Sequence, residues 1–286
     1  MAEIIQRDGT WAFDGTTVRI TPGLHRSVAL LRQTYGEIDV PLTAVAGVAY
    51  EPERKRGRLR LTLRDAADPL LQATGGRLPD TADPFRLTVD ADRSGVAEYV
   101  AEEIRQALLL EQLPPGPAES YLVSGPAVPI SVRSSDGLVS FDGSRVRIDW
   151  SETSDRVKRA TGPRVISLDD LDEVEWVPNS GYEDGVLRFV PKGSPYSKLP
   201  PEKDPYALDL WGNARKDLLT ALVAAAVTAR LPHPSAPRGT PALLPRQPDH
   251  DVLLRRLREL GELHRQDVLT DEEFAMTKRV VLRDFR

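Results

Sequence analysis

Phe13-Asp14-Gly15-Thr16-Thr17-Val18-Arg19-Ile20 returns almost unchanged as Phe141-Asp142-Gly143-Ser144-Arg145-Val146-Arg147-Ile148. In each copy an Asp-Gly pair divides two short runs of β-formers, the signature of a two-residue hairpin. A type I′ turn is expected, because Gly takes positive φ without steric cost and Asp tolerates it. Beyond the turn, Val18 and Ile20 alternate with Thr17 and Arg19, as Val146 and Ile148 do with Arg145 and Arg147. That is the period of a strand buried on one face.

The match continues for the length of a domain. Residues 40–52 align without a gap on 166–178, and apolar residues coincide at Val40/Ile166, Leu42/Leu168, Val45/Leu171, Val48/Val174, Tyr50/Trp176 and Pro52/Pro178. Gly57-Arg58-Leu59-Arg60-Leu61 then matches Gly185-Val186-Leu187-Arg188-Phe189, and Asp83-Pro84-Phe85 matches Asp204-Pro205-Tyr206. Each copy closes on a helical pattern, at 96–110 and 215–229. Blocks repeated in the same order are an internal duplication. In the first copy, strands are expected at 11–13, 16–21, 37–42, 45–50, 58–64 and 85–90. Its helix places Val96, Val100, Ile104, Ala107 and Leu108 on one stripe, suited to covering an edge of the sheet. The second helix, at 218–229, is so rich in Leu, Ala and Val that packing against more than its own sheet is expected.

At 286 residues, 40% of them hydrophobic, the chain has room for two ordinary domains with cores of their own. A net charge of −5 argues against generic binding to nucleic acid, which depends on neutralising phosphates. With no cysteine, disulfides, thiolate metal sites and cysteine nucleophiles are excluded. Residues 1–7 lack an apolar core of signal-peptide length, and the most apolar window, 218–229, is too short to span a bilayer. No transmembrane segment and a cytoplasmic location are therefore expected.

The chain divides into a first module at 1–113, a Pro/Ser/Gly-rich linker at 114–135, a second module at 136–231, a proline-rich spacer at 232–249 and a helical tail at 250–286. Pro114-Pro115-Gly116-Pro117 stops the first closing helix. Pro232, Pro234, Pro237, Pro241, Pro245 and Pro248 make the spacer extended and semi-rigid. In the tail, Leu253, Leu254, Leu257 and Leu260 form one apolar stripe. Thr270-Asp271-Glu272-Glu273 is a capping box opening a second helix that carries Phe274, Val280 and Val281. Two such helices bury little alone and want a partner. Association is expected through Leu254, Leu257, Leu260, Phe274 and Val281.

This order of elements resembles the pleckstrin-homology-like (PH-like) superfold, on the block Val40-Pro41-Leu42-x-x-Val45-x-x-Val48 followed by Gly57-x-Leu59-x-Leu61 and its repeat. The duplicated region resembles a family of bacterial proteins with two such modules. The tail, Leu254-x-x-Leu257-x-x-Leu260-x-x-Leu263 leading to Val268-Leu269-Thr270-Asp271-Glu272-Glu273-Phe274 and Lys278, is similar to the short C-terminal domain known as SHOCT, although Gln266-Asp267 stand where that motif usually has glycine. The resemblance implies an α+β, mainly β fold: two tandem bent antiparallel sheets, each closed by a helix, plus a helical hairpin. It further implies modules that bind protein, peptide or lipid, and a tail that oligomerises.

Of the polar clusters, Arg54, Lys55, Arg56 and Arg58 form the best candidate site. A cationic hairpin tip suits a phosphate or an anionic lipid surface, although the simplest reading is a solvated turn. His25, His233, His250 and His264 are scattered, without metal-ligand spacing. Asp169, Asp170, Asp172 and Glu173 lack the order of a calcium loop and read as the exposed side of a turn and strand. Thr74-Gly75-Gly76 lacks the lysine of a phosphate loop. Tyr50, Trp176 and Trp211 read as core or sheet-face residues. No catalytic set, metal or cofactor is expected. The chain reads as a non-enzymatic interaction protein that binds protein or peptide partners, with peripheral anionic-lipid binding as the alternative.

Overall fold

The computed structural model describes residues 1–111, 116–193 and 199–236. Within them the chain folds as mainly β structure. Strands β1 (Ala2–Gln6), β2 (Gly9–Phe13), β3 (Thr17–Pro22) and β4 (Ile38–Pro41) form one antiparallel sheet in sequence order. A 3-10 turn at Leu42–Ala44 leads into a second sheet of β5 (Val45–Glu51), β6 (Arg56–Leu63) and β7 (Arg86–Asp90). Two short helices interrupt the meanders, α1 (Leu30–Tyr35) before β4 and α2 (Pro69–Thr74) before β7. The long helix α3 (Ser94–Glu111) follows.

The second half repeats this plan. Its first sheet holds β8 (Ile130–Arg133), β9 (Gly137–Phe141), β10 (Arg145–Trp150) and β11 (Arg164–Ser167), with α4 (Arg156–Thr161) before β11. Its second sheet holds β12 (Leu171–Val177), β13 (Gly185–Pro191) and β14 (Ala207–Leu210), followed by α5 (Ala214–Asp217) and α6 (Thr220–Thr228). Even the irregularities recur: the ladder slips between Val45 and Gly47 in β5 and between Leu171 and Glu173 in β12.

Residues 116–135 do more than link the modules. Ala118 and Val123 are buried in the first core, tied by the amides of Ala118 and Leu122 donating to the carbonyls of Asp65 and Ala67. Ile130–Arg133 is the edge strand of the second module, pairing with β9. The proline count of the segment conceals the apolar anchors Val123 and Val132.

The repeated hairpins are not type I′ turns. Phe13 pairs with Val18 and Phe141 with Val146, so the loops are longer than two residues. Only the glycines take positive φ, 107° at Gly15 and 109° at Gly143. Each aspartate instead turns its carboxylate inward. Asp14 Oδ1 accepts from the amides of Thr16 and Thr17 at 2.9 and 2.8 Å, and Asp142 Oδ1 from those of Ser144 and Arg145, each at 2.7 Å. These bonds hold both carboxyls below their ordinary range, led by the amide of Thr16 in one and of Ser144 in the other. An Asx turn of this kind competes with the left-handed conformation that type I′ demands.

The two closing helices behave differently. In α3 only the stripe Ala97, Val100, Ala101 and Ile104 is buried, while Tyr99, Glu102, Glu103 and Gln106 face water. In α6 every residue is buried, and one sheet cannot do that. The other side is covered by α2 of the first module, which packs on α6 and on β12. Leu31, Leu70 and Ala73 thereby belong to the second module's core. Gly125 marks the closeness of the seam: a Cβ there would stand 2.8 Å from Ala229 Cβ and 3.3 Å from Pro69 Cγ. After α6, His233 Nε2 lies 2.9 Å from the Ala66 carbonyl and Ser235 Oγ donates to the Ala118 carbonyl at 3.0 Å. The two modules thus form one compact unit, Met1–Ala236. The tail residues Leu254, Leu257, Leu260, Phe274 and Val281 lie outside the described residues.

Candidate functional site

Each module is braced by the same strut. Between β1 and β2, Asp8 Oδ2 accepts from Arg32 Nη1 at 2.9 Å and from the Thr88 amide at 3.0 Å, and Arg32 Nη2 donates to the Asp8 carbonyl at 3.2 Å. In the second module Asp136 takes the place of Asp8, accepting from Lys158 Nζ and, at 3.0 Å, from the Asp209 amide. The aspartate thus joins the first sheet, the short helix before its fourth strand and the last strand of the second sheet. Glycine follows it in both copies for lack of room. A Cβ would stand 2.7 Å from the Thr21 carbonyl at Gly9 and 2.4 Å from the Asp149 carbonyl at Gly137.

Around the first strut the seam between the sheets opens into a cleft of about 350 Å³. Arg7, Arg32, Arg56, Arg58 and Arg86 line it, against Asp8, Asp80 and Asp90. Some of the charge is matched: Arg86 pairs with Asp80 at 2.6 Å and Asp83 at 3.0 Å, Arg56 with Asp90 at 3.4 Å, and Arg58 with Glu53 at 2.7 Å. Arg7 is exposed, with no ion pair among the described residues. Arg32 is 3% exposed, yet its Nε is buried without a hydrogen-bond partner. A buried donor with nothing to donate to is costly. An acceptor reaching that nitrogen would therefore be favoured.

The sequence-derived cluster splits on this geometry. Arg56 and Arg58 line the cleft, while Arg54 and Lys55 sit at the tip of the β5–β6 hairpin, exposed and outside it. Arg7, Arg32 and Arg86 carry no joint local signal, because positions 25 to 79 residues apart come together only in the fold. A repeat signal was nonetheless present: Asp8-Gly9 and Asp136-Gly137 extend the duplication five residues upstream of Phe13 and Phe141. Trp211 is not a core residue; it follows β14 and is 47% exposed, whereas Trp176 is buried and donates from Nε1 to Thr220 Oγ1 at 3.0 Å. Asp169, Asp170, Asp172 and Glu173 are exposed.

A second polar centre lies under the junction of the modules. Asp68 caps α2, its Oδ1 accepting from the Leu71 amide at 2.6 Å, while Oδ2 is buried without a partner. Burial pushes this carboxyl up to about 7. Burial also raises the neighbouring phenols, Tyr35 most, and Tyr121 to about 12. Tyr35 Oη donates to the Ser124 carbonyl at 3.0 Å, and the Tyr121 ring meets that of His233 edge-on at 4.6 Å. Among the described residues no three His, Asp or Glu side chains are grouped to hold a metal ion. No described helix is long and apolar enough to cross a membrane.

A family model matches the chain twice, at residues 11–105 and 139–228, one copy on each module. Its description is domain of unknown function (DUF4429). No curated protein matches the chain.

Proposed function

This chain belongs to the DUF4429 family and carries its domain in two copies, and on that premise we propose that it is a non-enzymatic interaction protein. In this reading the two domains are PH-like modules that bind protein or peptide ligands, and the SHOCT-like tail mediates oligomerisation. The plan of four strands, three strands and a closing helix in each half supports the PH-like reading. The ligand site is the arginine cleft of the first module, and the observation that carries it is the unpartnered Nε of buried Arg32, which lines the cleft together with exposed Arg7. Guanidinium groups in such a setting select carboxylates or phosphates. Fixing the modules together through α2 and α6 suits a scaffold, since it holds the cleft at a set position in the chain.

The test is fluorescence anisotropy with a labelled polyglutamate peptide at about 50 mM salt, where exposed charges are weakly screened. Binding is expected, and the variant Arg7→Glu/Arg58→Glu should bind at least about tenfold more weakly, since opposed charges become like charges. Equal binding by both proteins would end the reading. A second reading, attachment to anionic lipid, is favoured by Arg54 and Lys55, which no described acid neutralises. It requires co-sedimentation with acidic liposomes that is lost in Arg54→Glu/Lys55→Glu and kept in the cleft variant. For the tail, removal of the residues after Pro248 should lower the mass measured by light scattering at about 0.5 M salt, where apolar contacts persist and surface ion pairs fade. An unchanged mass would refute tail-driven assembly.

A further inference from the structure

The duplication has left one site with a different charge in each copy. Equivalent positions follow from the pairing: Gly57 faces Val89 as Gly185 faces Leu210, so Arg56 corresponds to Asp184, Thr88 to Asp209 and Asp90 to Trp211. Asp83 and Asp204 each accept from the amide two residues on at 2.9 Å, which sets Thr81 against Glu202. Where the first module gathers arginines, the second therefore gathers Asp184, Glu202 and Asp209 around its strut, beside Trp211. Mutual crowding is evident at Asp209, whose carboxyl is pushed up to about 6 by burial and then by Asp184 and Asp136. Lys158 offsets the group only in part, being sealed against Asp136, the Ala207 carbonyl at 2.9 Å and the Trp150 ring.

We propose that the arginine cleft of the first module docks the acidic seam of the second module of another copy of this chain. The inference rests on the reading of the cleft as an acid-binding site and names its partner. Carboxylates satisfy guanidinium groups, and an exposed indole stacks on them; arginine and tryptophan are the residues that interfaces concentrate. The seam offers both, with Trp211 47% exposed and Tyr182 on the adjoining β12–β13 turn wholly exposed. Among the described residues of one chain, no hydrogen bond or ion pair joins Arg7, Arg56, Arg58 or Arg86 to the second module. A pairing of unlike faces leaves one of each free, so it grows as chains or closes as rings.

The experiment is sedimentation velocity on the full chain at about 50 and 500 mM salt, where screening removes exposed charge pairs. Wild type should gain larger species at low salt, with at least about a doubling of mean mass for a pairing that propagates. Arg56→Glu/Arg58→Glu and Asp184→Arg/Glu202→Arg, all at exposed positions, should each lose that gain, and a mixture of the two variants should recover it through the exchanged charges. Trp211→Ala should weaken it in the wild-type background. A wild-type mass indifferent to salt, or a mixture no larger than its components, overturns the proposal. If polyglutamate still binds in that case, the ligand-site reading stands and only the identity of the partner falls.

Discussion

Asp136→Ala should destabilise the folded unit by about 3–5 kcal/mol, the usual consequence of removing one member of a buried ion pair. The reason lies in what remains. Lys158 is fully buried, and without Asp136 its ammonium keeps, among the described residues, the Ala207 carbonyl and the Trp150 ring face, 4.9 Å away. The Asp209 amide also loses its acceptor. Removing both charges is expected to cost less than removing one, so Asp136→Asn/Lys158→Met should recover about 2 kcal/mol or more of the loss. Asp8→Ala in the first module should cost less than Asp136→Ala, because the Asp8 side chain is 23% exposed and water in the cleft can replace part of it. Urea denaturation of the variants checks the order, and a loss below about 1 kcal/mol for Asp136→Ala would show that the strut is not under the burial described.

Asp68→Asn should do the opposite and stabilise the protein at pH 8, by up to roughly 4 kcal/mol. The folded carboxyl titrates at about 7 against 3.8 for the free group. Below pH 4 both states hold the proton and nothing is lost. Between pH 4 and 7 the unfolded chain releases a proton that the folded chain keeps, so wild-type stability falls as pH rises, and it levels off above 7. Asparagine keeps the oxygen that caps α2 through the Leu71 amide and has no charge to bury. The variant should therefore lose the downward slope that Asp68 contributes over this window. Unfolding free energies at pH 5 and 8 check it: a difference between wild type and variant that is the same at both values would mean that Asp68 does not titrate there. Because α2 carries the contact between the modules, its cap is where proton uptake and their packing meet.

How much of this was legible can be followed residue by residue. The β6 pattern is a strict alternation and forms the strand that it implies. Helix α2 was legible too: Asp68 before Pro69, and Gly75 closing it at φ 55°, are ordinary start and stop signals. Thr74-Gly75-Gly76 marks the end of that helix and not a phosphate loop. The cleft was half legible, through Arg56 and Arg58, since neighbours on one strand announce themselves. Arg32 does not, for its meeting with Asp8, 24 residues earlier, depends on how α1 packs against the sheet, and Arg86 joins the cleft only once β7 pairs with β6.

Local pattern was enough to specify the duplication, six strands of the first half and the stripe of α3, because alternation and helical spacing are written in consecutive residues; β1 and β8 came only with the structure. Whether the halves stand apart or share a core was decided only in three dimensions. α6 is apolar on every side, and that pattern names no partner; the partner is α2, lying some 150 residues earlier in the chain. Likewise, the same aspartate strut carries a basic cleft in one module and an acidic seam in the other, since the charge at a seam is a sum over strands that sequence order keeps apart.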